Sequence, residues 1–146
     1  MSTARRLREP EINTTYLLGR AHKVLNERIR GGVIAAGHPI RAAHSAVFVN
    51  IDREGSRLTH LAERAAMTPQ AMGELVDDLA GLGYLERVAD PADRRAKLIM
   101  LTDLGYQALQ AAFDTILDIE AELLSELGAG GLAKLQRVLR RLAPED

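Results

Sequence analysis

Residues 57–102 read RLTHLAERAAMTPQAMGELVDDLAGLGYLERVADPADRRAKLIMLT, and the order of signals within them decides the fold. Arg57-Leu58-Thr59 reads as a short extended segment. HLAERAA reads as a helix of about two turns, too short to be stable unless packed. Thr68-Pro69 is a helix start: the Thr hydroxyl caps free N–H groups, and Pro lacks an N–H and already holds helical φ. The helix it opens puts Met72, Leu75, Val76, Leu79 and Leu82 on one face and Gln70, Gly73, Glu74 and Asp77 on the other, and Gly83 stops it. Segments 84–88 and 97–101 then flank ADPADRRA. Their patterning, with Asp-Pro between them, predicts a β-hairpin with a long, highly charged tip.

On the N-terminal side, Leu18, Ala21, Leu25 and Ile29 recur at helical spacing after Pro10. They predict a first helix with one buried stripe, weakened at Gly31-Gly32 and ended by Gly37 and Pro39. A second helix is predicted from about Arg41 to Arg53, burying Ala43, Val47 and Ile51. On the C-terminal side, Thr102 caps a helix running to about Leu127. It carries two apolar stripes, one of Leu109, Ala112, Ile116, Ile119 and Leu123, the other of Phe113, Leu117, Ala121 and Leu124. A helix apolar on two faces in a small protein needs more partners than one lobe offers. A break at LGAGG leads to a final helix burying Leu132, Leu135, Leu139 and Leu142. The expected fold is therefore mainly α with a small β-wing.

The 146 residues suit one domain. With aromatics at 3% and no Trp, the core must be mainly Leu, Ala, Val and Ile, which favours helices. The absence of Cys excludes disulfides, a thiol nucleophile and thiolate metal sites. No stretch approaches the roughly 18–20 apolar residues that span a bilayer, and no apolar segment follows the early basic cluster. No membrane association is expected, and a cytoplasmic location is. A net charge of −1 argues at first against nucleic acid, but it is unevenly spread. Residues 1–41 carry +5, residues 42–102 carry −2 and residues 103–146 carry −4. A basic beginning and an acidic end cancel in the total.

The order of elements is a helix-turn-helix followed by a β-wing. In such a unit the second helix can enter a major groove N-terminus first, and a charged hairpin tip can reach backbone or minor groove. At this point the chain resembles the MarR family of bacterial winged-helix transcriptional regulators. The resemblance is carried by RLTHLAERAAMTPQAMGELVDDLAGLGYLER and by DPADRRAKLIMLTDLG; DPxDRR followed by LTxxG is the most specific part. Helix order and length agree across about residues 12–142.

The resemblance implies a single MarR-like domain over 1–146. Residues 41–102 would form the winged helix-turn-helix lobe, and residues 12–38 and 103–142 would form N- and C-terminal dimerisation helices. It implies a homodimer on palindromic double-stranded DNA, acting in a bacterial cytoplasm as a regulator, most simply a repressor. A small aromatic or phenolic ligand between lobe and dimer helices would modulate it. By position, Thr68, Gln70, Ala71, Gly73 and Glu74 fall on the recognition helix. In the wing, Arg95 matches the residue that enters the minor groove, Asp93 the acid that orients it by a charge-assisted pair, and Arg94 a phosphate contact. Lys97 and Arg57 supply further local attraction, Arg57 as a phosphate contact. Many relatives carry a small hydroxyl residue and then Arg where this chain has Gly73 and Glu74. An ionised Glu74 only accepts hydrogen bonds, for instance from cytosine N4, so specificity is expected to lean on the wing. Candidates to line an effector pocket are Tyr16, His22, His44 and Phe48.

Blander readings stand beside these. Tyr16, Phe48, Tyr106 and Phe113 suit a core, and His22 and His44 suit its edge. His38 reads as a loop residue, and Arg5, Arg6 and Arg8 as a solvated tail. His60-x-x-Glu63 lacks the second His of a zincin, so no metal site is expected. GAGG at 128–131 follows a helix rather than a strand and is a turn. Nothing resembles a nucleophile–base pair or a phosphate loop, so neither catalysis nor a cofactor is expected. The competing reading is a winged-helix protein-interaction adaptor or antirepressor with little DNA binding, motivated by the acidic Glu74, Asp77 and Asp78.

Overall fold

A computed structural model describes residues 10–145; Arg5, Arg6 and Arg8 lie outside it. Among these residues the elements run α1 (Thr14–Ala35), a 3-10 turn (Ala42–His44), α2 (Ser45–Asn50), α3 (Leu58–Arg64), α4 (Pro69–Gly81), β1 (Leu85–Asp90), β2 (Asp93–Leu101) and α5 (Asp103–Leu142). The mainly α fold with a β-wing is as expected. No helix among the described residues is long and apolar enough to cross a membrane.

The core lies in the lobe built from α2 to β2. Val47, Leu61, Met72, Val76, Leu79 and Ile99 are almost wholly inaccessible to solvent. Val33 of α1 and Ala108 of α5 join this cluster. The two-turn α3 is stable because Leu61 and Ala62 are buried against α4. Between α3 and α4, Ala66 takes a left-handed conformation (φ 52°), a cost that the packed turn overcomes. The expected cap of α4 is present: the Thr68 hydroxyl accepts from the Ala71 N–H at 3.1 Å. Four of the five apolar residues expected on α4's inner face are buried. Leu82 is the exception, 48% exposed, because it follows the last helical turn.

α1 continues through the weak Gly31-Gly32 pair and ends at Ala35, just ahead of Gly37 and Pro39 as expected; tertiary contacts outweigh the poor helix propensity of Gly. There α1 crosses closely over α5, and a Cβ at Gly32 would meet Thr115 Oγ1 at 2.0 Å. Nearby, Arg28 forks onto Glu122 at 2.5 and 2.6 Å. The second helix is shorter than expected, ending at Asn50, and its 3-10 start buries His44 where Ala43 was expected. Of 57–59 only Arg57 is extended, as the N-cap of α3, and Leu58 already starts the helix; the bridging residue is Ser56, which exchanges both backbone hydrogen bonds with Ile99. α5 comprises two helical stretches that meet at a kink at Gly128 (φ 69°, ψ 168°), within the expected LGAGG break.

The wing differs most. The strands pair from Leu85↔Leu101 to Asp90↔Asp93, with a bulge at Ala89/Asp90. Only Pro91-Ala92 connect them, so Asp93, Arg94 and Arg95 belong to β2 and not to a long tip. A two-stranded ribbon reaching into solvent has no face to bury, so its outer half shows no alternation of apolar and polar residues.

At the wing's base the LTxxG motif explains itself. Thr102 Oγ1 accepts from the Gly105 N–H at 3.1 Å, capping α5, and donates to the Gly83 carbonyl at 2.5 Å. A Cβ on Gly105 would lie 2.3 Å from the Tyr84 carbonyl oxygen. The motif thus seats α5 on the turn between α4 and β1.

The long helices leave much apolar surface uncovered. Leu18 and Ala21 of the predicted α1 stripe are exposed, while Leu25 and Ile29 are half-buried. On α5, Ile119 is buried, yet Phe113, Leu117, Ala121 and Leu124, the second predicted stripe, are all exposed. Beyond Gly128, Leu132 is half-buried and Leu135, Leu139 and Leu142 are exposed. The expected burial of these stripes is not met within one chain.

Candidate nucleic-acid interface

The polar face of α4 opens at its capped N-terminus, where Thr68, Gln70 and Glu74 are exposed and Ala71 and Gly73 half-buried. Gly73 faces α3: a Cβ there would touch Leu58 Cδ2 at 3.7 Å. Among the described residues, Glu74 has no ion pair. The two other acids of this helix are engaged within the lobe. Asp77 accepts from Arg87 of β1 at 2.6 Å, and Asp78 pairs with Arg41. Much of the helix's apparent acidity is therefore matched by arginines from neighbouring elements.

In the wing, Arg94, Arg95 and Lys97 are exposed, and none has an ion pair among the described residues. Asp93 does not hold the Arg95 guanidinium as expected. Its Oδ1 accepts from the Arg95 backbone N–H at 3.0 Å, a local contact that a residue two positions away makes readily. Arg57 also departs from expectation. Its Nε and Nη2 both donate to Asp90 Oδ2, at 3.0 and 2.7 Å, so its guanidinium is committed to the wing. Asp90 is buried and its Oδ1 accepts from the Ala92 N–H at 2.9 Å. That backbone bond and the Arg57 pair hold the Asp90 carboxyl below its ordinary value.

A cavity of about 480 Å³ opens between α1, α2 and α5. Phe48 lines it, as do Ile29, Val33, Leu109 and Phe113, with Asn26, Ser45, Arg30 and Arg53 as the polar groups. Of the four expected lining residues, only Phe48 is there. Tyr16 is half exposed on α1 with Arg20 6.0 Å from its ring. His22 bonds Asn26 at 2.9 Å on the helix surface. His44 is buried on the opposite side of α2, its Nδ1 accepting from the Arg41 N–H at 3.1 Å and its Nε2 3.5 Å from Asp78. Which face of α2 a residue occupies depended on the 3-10 start, which periodicity did not show. Phe113 was expected in a core and instead borders the cavity. His38 lies in a loop, as expected, and is buried there with its Nδ1 3.1 Å from the Tyr84 hydroxyl.

Comparison with known proteins fits this arrangement. A sequence model of the MarR family matches residues 38–96, which span α2 to the wing. Over those residues the lobe is similar to the MarR family of winged-helix proteins. Among curated proteins, the transcriptional regulator HosA of Escherichia coli O111:H- is 26% identical over 91 residues, covering 62% of this chain and 67% of HosA. Among solved structures, apo MarR from E. coli superposes with a TM-score of 0.71 at 22% identity, covering 93% of this chain and 100% of that one. CouR from Rhodococcus jostii RHA1, bound to p-coumaroyl-CoA, superposes at 0.70 with 22% identity over 92% and 94% of the two chains. The repressor CouR bound to a 23-mer DNA duplex superposes at 0.66, with 24% identity over 92% and 99%. The MarR fold thus extends beyond the matched lobe to α1 and α5.

Within this MarR-type lobe, the sequence-derived residues fall in three groups. Thr68, Gln70, Ala71, Gly73 and Glu74 share the N-terminal half of α4. Asp93, Arg94, Arg95 and Lys97 share β2 of the wing. Arg57 stands between them at the start of α3, bound to the wing. The expected pocket residues do not come together. Sequence reasoning did not single out Asp90, the acceptor for Arg57, and an Asp immediately before Pro91 in a turn was the one signal for it.

Proposed function

We propose that this MarR-type chain is a homodimeric, sequence-specific DNA-binding regulator, a repressor of palindromic operators. The observation that carries the reading is the division of labour among the lobe's charges. Asp77 and Asp78 are matched by Arg87 and Arg41, while Arg94, Arg95 and Lys97 stay exposed, with no ion pairs among the described residues. Cations left free in this way are the ones that can displace counterions from a phosphate backbone. The names of HosA, a transcriptional regulator, and CouR, a repressor seen on DNA, support the same reading. The matched acids of α4 also remove most of the motive for a protein-binding adaptor.

The exposed stripes on α1 and α5 support a dimer, since contiguous apolar faces of this kind mark association surfaces. Two-fold symmetry then requires two half-sites about one helical turn apart. The apolar cavity with Arg30 and Arg53 at its polar side supports a small ligand with an aromatic body and an anionic or phenolic group. CouR holds p-coumaroyl-CoA. A mobility-shift titration of the full chain against its own upstream region, at moderate salt, tests the reading. A shift at sub-micromolar dimer is expected, and no shift at micromolar dimer overturns it.

A further inference from the structure

We propose that Arg57 is a positioning residue: it fixes the wing tip for DNA by holding Asp90 and Asp93, and makes no phosphate contact of its own. This role rests on the DNA-binding reading above. Arg57 occupies the N-cap position of α3, one residue after Ser56, which is hydrogen-bonded in both directions to Ile99 of β2. The helix-turn-helix and the wing are thereby joined at two adjacent residues.

The guanidinium lies between the two carboxylates that flank the tip. Two of its nitrogens chelate Asp90 Oδ2, and Nη2 stands 4.0 Å from Asp93 Oδ2. Asp90 and Asp93 are register partners across the ribbon, so without a cation between them their like charges oppose each other directly. Each carboxylate also holds one tip amide, Asp90 that of Ala92 and Asp93 that of Arg95. Arg57 therefore stabilises the carboxylates that shape the Pro91–Arg95 backbone. The chelating geometry suits Arg and not Lys, whose ammonium is a point charge.

Charge alone predicts a different pattern, which makes the role testable. If residue 57 bound a phosphate, removing its charge would lower the slope of log affinity against log salt by about 0.9 for each phosphate released. A positioning role leaves that slope unchanged. Removing the negative charge of Asp90 beside DNA strengthens binding on charge alone and weakens it when the latch is broken. Arg57→Gln, Arg57→Lys, Asp90→Asn and the Arg57→Gln/Asp90→Asn double variant are to be titrated by fluorescence anisotropy. The probe is a duplex selected by the wild-type dimer from a random pool. We expect affinity to fall about tenfold in each single variant, with wild-type salt slopes, and no further in the double variant. A reduced slope in Arg57→Gln, full rescue by Lys, or tighter binding by Asp90→Asn overturns the proposal. If the wild type selects no duplex, the DNA-binding reading fails, and amide exchange still decides the latch. The amides of Ala92 and Arg95 should exchange faster in Arg57→Gln, and unchanged exchange there overturns it.

Discussion

Gly105 at the start of α5 stands directly against the carbonyl oxygen of Tyr84, so near that a Cβ would lie 2.3 Å from it. The clash would be with backbone, which cannot rotate away. We expect Gly105→Ala to destabilise the fold by about 1–3 kcal/mol, the usual range for overpacking a fitted site. The shift in urea midpoint at constant m-value measures it. An unchanged midpoint would show that α5 does not seat on the β1 turn as described.

Arg95 is exposed and free of ion pairs among the described residues. Arg95→Ala is expected to weaken binding to every duplex tested and to make the salt dependence shallower, by about 0.9 for each phosphate no longer neutralised. Anisotropy titrations across ionic strengths provide both numbers. The same affinity and slope as wild type would remove the wing tip from the interface.

Leu117 is 65% exposed in one chain, on the α5 stripe that finds no partner there. Placing a charge in an apolar interface leaves it buried and unpaired, so Leu117→Glu is expected to give monomers at micromolar concentration. Sedimentation velocity of wild type and variant checks this. A variant that remains dimeric would move the association surface elsewhere.

Among the described residues, three carboxyls sit below their ordinary values. Asp52 is held down chiefly by the hydrogen bond from Arg64, Asp90 by the Ala92 N–H and then Arg57, and Glu122 by Arg28. Each is a stronger acid folded than unfolded. Their stabilisation is therefore complete above the ordinary values of 3.8 and 4.5 and is lost as pH falls through the lowered folded values. Urea midpoints are expected to hold steady from about pH 7 to 5 and to fall below about pH 4. Constant midpoints down to about pH 3 would contradict the ion pairs.

Much of this was legible in the sequence because the decisive signals are local. Thr68-Pro69 caps α4 through a hydroxyl and a fixed φ, and the spacing of Met72, Leu75, Val76 and Leu79 names its buried face. The surplus apolar stripe of Phe113, Leu117, Ala121 and Leu124 could be recognised as unpartnered without coordinates. What was hidden depends on contacts distant in the chain. Gly32 looked like a weak point of α1 because its close approach to Thr115 of α5 is not visible from α1. The outer wing carried no alternation, since neither of its faces is buried. The cavity residues were misassigned because His44 turns inward at a 3-10 start, with Asp78 of α4 beside it. Arg57 was read by its charge alone, because its bond to Asp90, 33 positions later, leaves no local signal.

Whether a symmetric dimer reads DNA through α4 and the wing is tested by capture of fragmented genomic DNA on the purified protein. The capture is done at moderate salt and followed by sequencing. We expect enrichment of few fragments that share a two-fold symmetric element, with half-site centres about 10 base pairs apart. Recovery proportional to input, with no shared element at micromolar dimer, would contradict it.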